Sequence, residues 1–418
     1  MAIPPSETGM PERRRSTLLA AATFSQFGAS LTQQGTQVLG VFFAATYALG
    51  LGGMGTLLAV LTAGWVVSAL FVGSLVDRFG PRRVLLVGTL LLTLLSSTLG
   101  ITTSLPGTAV LLFLLGLSLG TVPLSGTKAI LMAWPRARRG LPMGVRQMGV
   151  PLGAMVAALI LPTLANRVGL HPLYFGFALL LAICGFTFVS VLPSEMPGDT
   201  LEAGETPTRL RAEAKRVTVP AICGFLMSWG QYSLTTFSIP LLHGSLGFSL
   251  AVAGILLAAS QAGGAAARML LGALSDRLGA RREIVLTVTA ATASALACVL
   301  AWLPHNIGIA VLAPLWVLLG MAFVGWNALL LTWAGERVSV ANAGAAMGLT
   351  TSAILTGATV CAPIFGFIVE VSGTYRDAWL TLASLLLIAA LLLWTQWRRE
   401  GRVAGVASRE QLGTIGRR

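Results

Sequence analysis

Three basic residues, Lys128, Arg146 and Arg268, lie inside long apolar stretches, and no Asp or Glu lies in the middle of any such stretch. An ionisable group within a membrane span is costly, so each of the three is a functional candidate. A guanidinium group binds a carboxylate through two parallel hydrogen bonds. This imbalance predicts a site for a small anion, such as an organic carboxylate. A site for cationic drugs, or a proton path through a buried carboxylate, would require an intramembrane acid.

Each of these three positions also has a structural interpretation. Arg268 lies one helical turn before Gly272, where it either contacts a solute or extends toward the membrane surface and pairs with Asp276. Lys128 lies near the end of its stretch and either contacts the solute or reaches the surface in the same way. Arg146 either binds the solute or pairs with acids of the loops described below.

The stretches that carry these residues have the composition of membrane spans. The chain has 418 residues, of which 55% are hydrophobic and 10% are charged, and one water-soluble core cannot bury that much apolar surface. A helix needs about 20 mainly apolar residues to cross a bilayer. The sequence predicts an all-α membrane protein with twelve transmembrane helices in two six-helix halves, with spans near residues 17–46, 53–76, 83–103, 107–134, 142–165, 172–193, 218–242, 249–275, 283–303, 307–335, 343–369 and 377–396.

Polar segments divide the chain into five parts. A cytoplasmic N-terminal segment (1–16) precedes the first half (17–193), and a charged linker (194–217) precedes the second half (218–396). The remaining residues, 397–418, form a polar, Arg-rich cytoplasmic tail, which we expect to lack regular structure.

The net charge of +13 is explained by the position of the basic residues relative to the membrane, and it does not indicate nucleic-acid binding. All but five of the 28 Lys and Arg residues fall in segments on one side of the membrane; three of the five lie within spans, and only Arg167 and Arg376 lie on the other side. The positive-inside rule therefore places both termini and the linker in the cytoplasm of a bacterial inner membrane. The first apolar run is not a signal peptide, because it carries several glutamines and many spans follow it.

Nothing in the sequence indicates enzymatic or metal chemistry. The four cysteines fall within predicted spans, lack metal-binding spacing and are interpreted as packing residues. We find no nucleophile with its base and no phosphate-binding loop of the G-x-x-x-x-G-K-[ST] type. We therefore expect no enzyme activity, metal or cofactor, no nucleic-acid partner, and a monomer in the lipid bilayer.

The two halves are also related by sequence. The segment 73–83 matches 272–282 at seven positions, and 126–134 aligns with 325–333 at the same offset of 199 residues. Two separate matches in one register indicate a duplication.

The repeated pattern G-x-L-x-D-R-x-G-x-R-R resembles the signature cytoplasmic loop of the major facilitator superfamily. The resemblance covers nearly the whole chain, and it implies two halves that rock about a solute site at the midplane. The glycines would let helices approach and the chain turn sharply. Asp77 would pair with Arg78 or Arg82, and Asp276 with Arg277 and Arg281. These contacts would form a latch only when the cytoplasmic side is closed. The alternative is that the loops only set topology. The latch candidates are Gly73, Asp77, Arg78, Gly80 and Arg82 in the first half, and Gly272, Asp276, Arg277, Gly279 and Arg281 in the second.

Polar and aromatic residues complete the candidate cavity, because the resemblance implies that the first and seventh spans line the central path. Gln26, Gln33 and Gln37 are spaced by seven and four residues and therefore share one helix face. Hydrogen bonding between helices is the alternative role for this row. The further candidates are Trp229, Gln231 and Tyr232 in the seventh span, with Asn327 and Trp326 in the tenth, where Trp326 has packing as its alternative.

The residues around Arg146 give information on whether the solute is imported or exported. The run Gly144 to Gly153 looks like the motif of bacterial porters related to the cyanate and nitroimidazole transporters. The antiporter motif G-x-x-x-G-P-x-x-G-G is only partly met, because Val150 stands where glycine would precede proline. We therefore expect a secondary transporter that imports an organic anion by alternating access; the alternative is an exporter of drugs or metabolites with the same fold.

Overall fold

The computed structural model describes residues 10–134, 140–193, 210–278, 281–304, 306–338 and 343–415, and every regular element within them is a helix. The first half contains α1 (Glu12–Val38), α2 (Gly40–Tyr47), α3 (Leu51–Phe79), α4 (Pro81–Leu99), α5 (Leu105–Leu119), α6 (Thr121–Ala133), α7 (Gly140–Gln147), α8 (Gly149–Val168) and α9 (Leu170–Val191). The second half contains α10 (Leu210–Ile239), a π-helical turn (Pro240–Ser245), α11 (Leu250–Arg277), α12 (Arg282–Ala301), α13 (Ile309–Val324), α14 (Asn327–Glu336), α15 (Ala343–Ser372) and α16 (Tyr375–Ile415).

These helices form the predicted twelve spans, several of which are built from two consecutive segments. Ten stretches in the described residues are long and apolar enough to cross a membrane. The remaining two spans contain α1 and α10, which are long but carry rows of buried polar side chains. A row of amides and hydroxyls is stable in a bilayer only when it faces other helices. The two most polar spans therefore belong at the centre of the bundle.

The halves meet along two pairs of helices, α3 with α15 and α8 with α11. A Cβ atom added at Gly55 would lie 2.1 Å from the Ala362 carbonyl oxygen, and one at Gly254 would lie 2.5 Å from the Ala158 carbonyl oxygen. Gly55 and Gly254 are equivalent positions of the repeat. Because both lack a side chain, the backbones of the two halves touch at these points.

In the part of the chain that the structure describes, the close glycine contacts between the halves lie at one end of these helix pairs. We call the end that carries both repeated loops, 73–83 and 272–282, the motif end, and the opposite end the far end. The contacts at Gly55 and Gly254 lie toward the far end. At the motif end, Cβ atoms added at Gly73, Gly144 or Gly272 would meet no described atom within 4 Å. Among the described residues, the bundle is therefore closed at the far end and open at the motif end.

The expectation that the tail lacks structure is wrong for most of its length. The last helix, α16, does not stop near residue 396 but continues to Ile415, because the polar residues after the span are compatible with helix when no Pro interrupts them. The linker residues 194–209, the first nine residues and residues 416–418 lie outside the described residues. The final residues predicted for the linker are helical, because α10 begins at Leu210.

Candidate functional site

The centre of the bundle is marked by side chains that contact their own repeat equivalents. Thr236 donates its hydroxyl hydrogen to the Gln37 side-chain oxygen at 3.0 Å, and these residues are 199 apart. One helical turn away, Tyr232 lies near Gln33, its equivalent at the same offset of 199 residues, but the Gln33 Nε2 atom makes no described hydrogen bond. Equivalent residues of two related halves can touch only on the axis that relates them. The pseudo-twofold axis therefore runs between α1 and α10.

Arg268 lies beside this axis without a counter-ion. Its partly buried side chain interacts electrostatically with Tyr232, and its Nε atom is buried without a hydrogen-bond partner. The pairing with Asp276 that the sequence left open does not occur, because Asp276 binds Arg282 instead. The structure thus leaves a guanidinium group at the centre with no carboxylate among its described contacts.

Arg146 is enclosed by neutral partners. It is 2% exposed, and its Nη1 atom donates to the Gln26 Oε1 atom at 2.9 Å and to the Pro123 carbonyl oxygen at 3.3 Å. Its Nη2 atom donates to the Thr127 hydroxyl at 3.1 Å. The predicted alternative, pairing with loop acids, is therefore not seen in this state. Arg146 joins α1, α6 and α7 and lies behind Gln26.

A small cavity opens next to this group on the wall of the first half. It lies between α1, α3, α5, α6 and α8, and it is lined by Gln26, Ala29, Ser30, Gln33, Trp65, Leu119, Pro123 and Val150. Two of the three predicted glutamines line it, whereas Gln37 lies deeper, near the closed far end. The sequence did not single out Trp65, because nothing in the spacing of α3 shows that this indole faces α1.

The other predicted contacts are distributed over the second half and α6. Trp326 is fully buried and donates its indole N–H to the Phe323 carbonyl oxygen at 2.7 Å, so packing describes its role in this state. Trp229 and Gln231 are buried on α10, each with one polar atom that has no partner. Two further candidates are partly exposed: Asn327, at the start of α14, and Lys128, on α6.

The second repeated loop forms a charge cluster within its own half. Arg282 contacts Asp276 at 2.9 Å and Glu336 at 2.9 Å. The predicted partners of Asp276, Arg277 and Arg281, are both exposed. Arg282 takes their place because it begins α12 and lies between the ends of α11 and α14.

The first loop shows the turn that its sequence predicts. Gly80 has a φ of 79°, a conformation that favours glycine, and the Arg78 guanidinium lies 5.2 Å from the ring centroid of Phe79. The side chain of Asp77 and the residue Gly279 lie outside the described residues. The ion pairs that the structure describes for the second loop stay within its own half.

A carboxylate does connect the two halves at the far end. The Glu370 Oε2 atom on α15 accepts a hydrogen bond at 3.0 Å from the backbone N–H of Gly52, in the first turn of α3. The unpaired N–H groups of a helix N-terminus attract a negative charge. This contact exists only while the far end is closed.

The described residues contain no group of three or more His, Cys, Asp and Glu side chains that could hold a metal ion. All four cysteines are free thiols, three of them buried.

Comparison with known proteins gives one family. The family model described as Major Facilitator Superfamily matches residues 20–355 and 221–415. Over 330 residues the chain is 30% identical to an uncharacterized MFS-type transporter, Rv2994, of Mycobacterium tuberculosis, covering 78% of this chain and 72% of the relative. It is 28% identical over 287 residues to a probable nitrate/nitrite transporter, NarK2, of the same species, covering 67% and 71%. It is 25% identical over 348 residues to a probable sulfoacetate transporter, SauU, of Cupriavidus necator, covering 76% and 79%.

Among solved structures, the fold matches a bacterial homologue of the human lysosomal transporter Spinster in an inward-facing, unoccupied conformation. The TM-score is 0.77 at 14% identity, and the match covers 93% of this chain and 98% of that one. At this identity the likeness shows the fold alone.

Proposed function

This chain belongs to the major facilitator superfamily and is a transporter, and from that premise we propose that it imports a small organic anion by alternating access. The main support for this proposal is the position of Arg268. Its guanidinium group lies beside the pseudo-twofold axis and has no carboxylate among its described contacts. A charge in that position requires a partner, because a lone ion in a poorly hydrated interior is costly. A carboxylate or similar oxyanion supplies this partner through charge-assisted hydrogen bonds.

The surrounding groups support the same ligand class. Tyr232 provides a hydroxyl next to the guanidinium, and Arg146 adds a second positive charge with only neutral described partners. Two of the relatives carry the names of probable transporters of anions, nitrate or nitrite and sulfoacetate. The lack of acids in the middle of the spans argues against a cationic solute.

The charge distribution gives the proposed orientation. With most Lys and Arg residues on one side, the positive-inside rule places both termini and the motif end in the cytoplasm of a bacterial inner membrane. The described state is then open to the cytoplasm and closed to the outside. Transport would alternate this state with one in which the far end separates and the motif end closes.

The test is a thermal-shift titration of the purified protein with organic carboxylates, nitrate and a cationic dye. A ligand that binds only the folded state stabilises it, by about 2.7 kcal/mol at a hundredfold excess over the dissociation constant. We expect an anion to raise the melting temperature of the wild type and to have no effect on Arg268→Ala. Arg167→Ala, which removes an exposed arginine from the end of α8, is the control and should respond like the wild type.

Stabilisation by the dye alone would refute the anion proposal. Uptake of the stabilising anion into proteoliposomes and accumulation in a deletion strain then distinguish import from export. An export defect in the deletion strain would support the alternative of an efflux transporter.

A further inference from the structure

The position of Arg146 fixes the orientation of a neighbouring amide. The nitrogen and oxygen of a glutamine amide are usually assigned only from their hydrogen bonds. An arginine can only donate, so the Gln26 atom at 2.9 Å from Arg146 must be the oxygen. The Gln26 NH2 group then points away from Arg146, and it has no described hydrogen-bond partner. Gln26 is 6% exposed and lines the cavity of the first half.

Two more N–H groups without described partners belong to residues of the same cavity. The Gln33 Nε2 atom is buried without a hydrogen-bond partner, and that side chain is 7% exposed. The indole N–H of Trp65 also makes no described hydrogen bond. Ser30 adds no donor, because its hydroxyl hydrogen is bound to the Val150 carbonyl oxygen at 2.8 Å. The Gln33 donor is buried and unpaired, which is unfavourable, so the cavity favours a ligand that brings an acceptor.

Gln33 connects this cavity to the central guanidinium. It lines the cavity and also interacts with Tyr232, which in turn interacts with Arg268. Gln26 lies two helical turns from Gln33, about 10 Å along α1. A small solute whose anionic group is bound at Arg268 can therefore extend past Gln33 into the cavity.

We propose that Arg146 is a positioning residue that holds the Gln26 amide with its NH2 group toward the cavity, and that Gln26, Gln33 and Trp65 form a subsite for an uncharged acceptor oxygen of the transported anion. The subsite rests on the proposed function, since it assigns the second end of the same solute. Arg146 itself does not contact the solute, because it is enclosed behind Gln26 and does not line the cavity.

The experiment compares anions that differ only in a second acceptor oxygen. The first pair is 4-oxopentanoate and pentanoate, in which the added ketone can accept but not donate. The second pair is methoxyacetate and butanoate, in which an ether oxygen replaces a methylene group. We expect the wild type to prefer the first member of at least one pair by about tenfold, which corresponds to about 1.4 kcal/mol. Dissociation constants are taken from ligand-dependent melting temperatures of the purified protein.

Gln26→Glu is the central variant. A carboxylate keeps the contact with Arg146 as an ion pair, so the variant should fold, but it presents an acceptor to the cavity where the amide presented a donor. We expect the preference within each pair to disappear. Gln147→Glu introduces the same charge on an exposed side chain next to Arg146, and it should keep the wild-type preference.

Variants of Arg146 test the positioning role. Arg146→Lys retains a donor for the Gln26 oxygen and should keep most of the preference, whereas Arg146→Met removes the donor and should lose it. A merely structural role would lower the melting temperature of Arg146→Met without changing the ratio of the two affinities.

The outcomes separate the two proposals. If none of the four anions nor nitrate stabilises the wild type, the proposed function itself fails. If binding depends on Arg268 but both pairs bind with equal affinity, or if the preference survives in Gln26→Glu, the proposed function stands and the acceptor subsite is refuted.

Discussion

Alanine at Gly55 should open the far end of the transporter. In the described state, a Cβ atom at this position would lie 2.1 Å from the Ala362 carbonyl oxygen and 2.9 Å from the Pro363 nitrogen. Both are backbone atoms and cannot rotate away. Ordinary contact of a Cβ atom with a neighbouring atom begins at 3.4 Å, so α3 and α15 would have to separate by about 1 Å.

The cost of that separation sets the size of the effect. Overpacking of a tight interface typically costs about 1–3 kcal/mol, which is a factor of roughly 5 to 150 in an equilibrium. The cost arises only while the far end is closed, since the two backbones touch only then. Gly55→Ala should therefore shift the population by this factor toward the state with an open far end. Gly254→Ala, which meets the Ala158 carbonyl oxygen at 2.5 Å, should shift it in the same direction.

Gly73→Ala is the matched control on the same helix. No described atom lies within 4 Å of the added methyl group, so the substitution costs nothing in the described state. If closure of the motif end brings Gly73 against the opposite half, alanine will favour the present state. The two substitutions in α3 should then move the equilibrium in opposite directions.

Pulsed electron–electron spin resonance measures this equilibrium directly. Spin labels at Thr46→Cys and Ser245→Cys, both exposed at the far end and in different halves, report their separation after the four native cysteines are replaced. Gly55→Ala should add a longer distance that the wild type and Gly73→Ala lack. An unchanged distribution in a Gly55→Ala protein with normal thermal stability would refute the inference that backbone contact holds the far end closed.

Three further substitutions test the contact that closes the far end, the charge cluster of the second loop and the proposed anion site. Glu370→Ala removes the acceptor for the Gly52 N–H. It should favour the open far end by about fivefold, equal to about 1 kcal/mol for one partly buried hydrogen bond; Glu370→Gln, which keeps an acceptor, should shift the same spin-label distances less. Arg282→Ala breaks ion pairs to two acids that are 69% and 48% exposed. It should lower the free energy of unfolding by about 1 kcal/mol, whereas Arg281→Ala should leave the melting temperature unchanged. Tyr232→Phe removes the hydroxyl beside Arg268 and should weaken anion binding in the thermal-shift titration about tenfold, without loss of fold.

The fold could be predicted because apolar length is a local property of the sequence. Hydropathy alone finds ten spans in the described residues. The other two, which contain α1 and α10, were predicted from apolar stretches near residues 17–46 and 218–242 and from the repeated count of six spans in each half. Gln26, Gln33 and Gln37 are buried on α1, but so is every residue from Gly28 to Val38, so their burial follows from packing around the whole helix and not from their spacing.

The partners of those residues could not be predicted, because they come from distant parts of the chain. Arg146 lies 120 residues from Gln26, and only the packing of α1 against α7 brings them together. Asp276 was expected to bind Arg277 or Arg281, but the turn after α11 carries Arg282 toward it. The sequence also contains no signal for which end is closed, because both ends carry the glycines that allow contact.

Comparison of the two halves separates the moving parts of the transporter from its proposed binding parts. Gly55 and Gly254 are identical equivalents, and both bring backbones together at the far end. Arg268, in contrast, has Ala69 as its equivalent, and the pairs that touch on the axis between α1 and α10 join unlike residues. When two related halves rock about a twofold axis, the helix pairs on the two sides of that axis, α3 with α15 and α8 with α11, open and close together. Equivalent contacts are therefore expected in both pairs. A small organic acid has two different ends, so a site that binds it must break the symmetry that the gates retain.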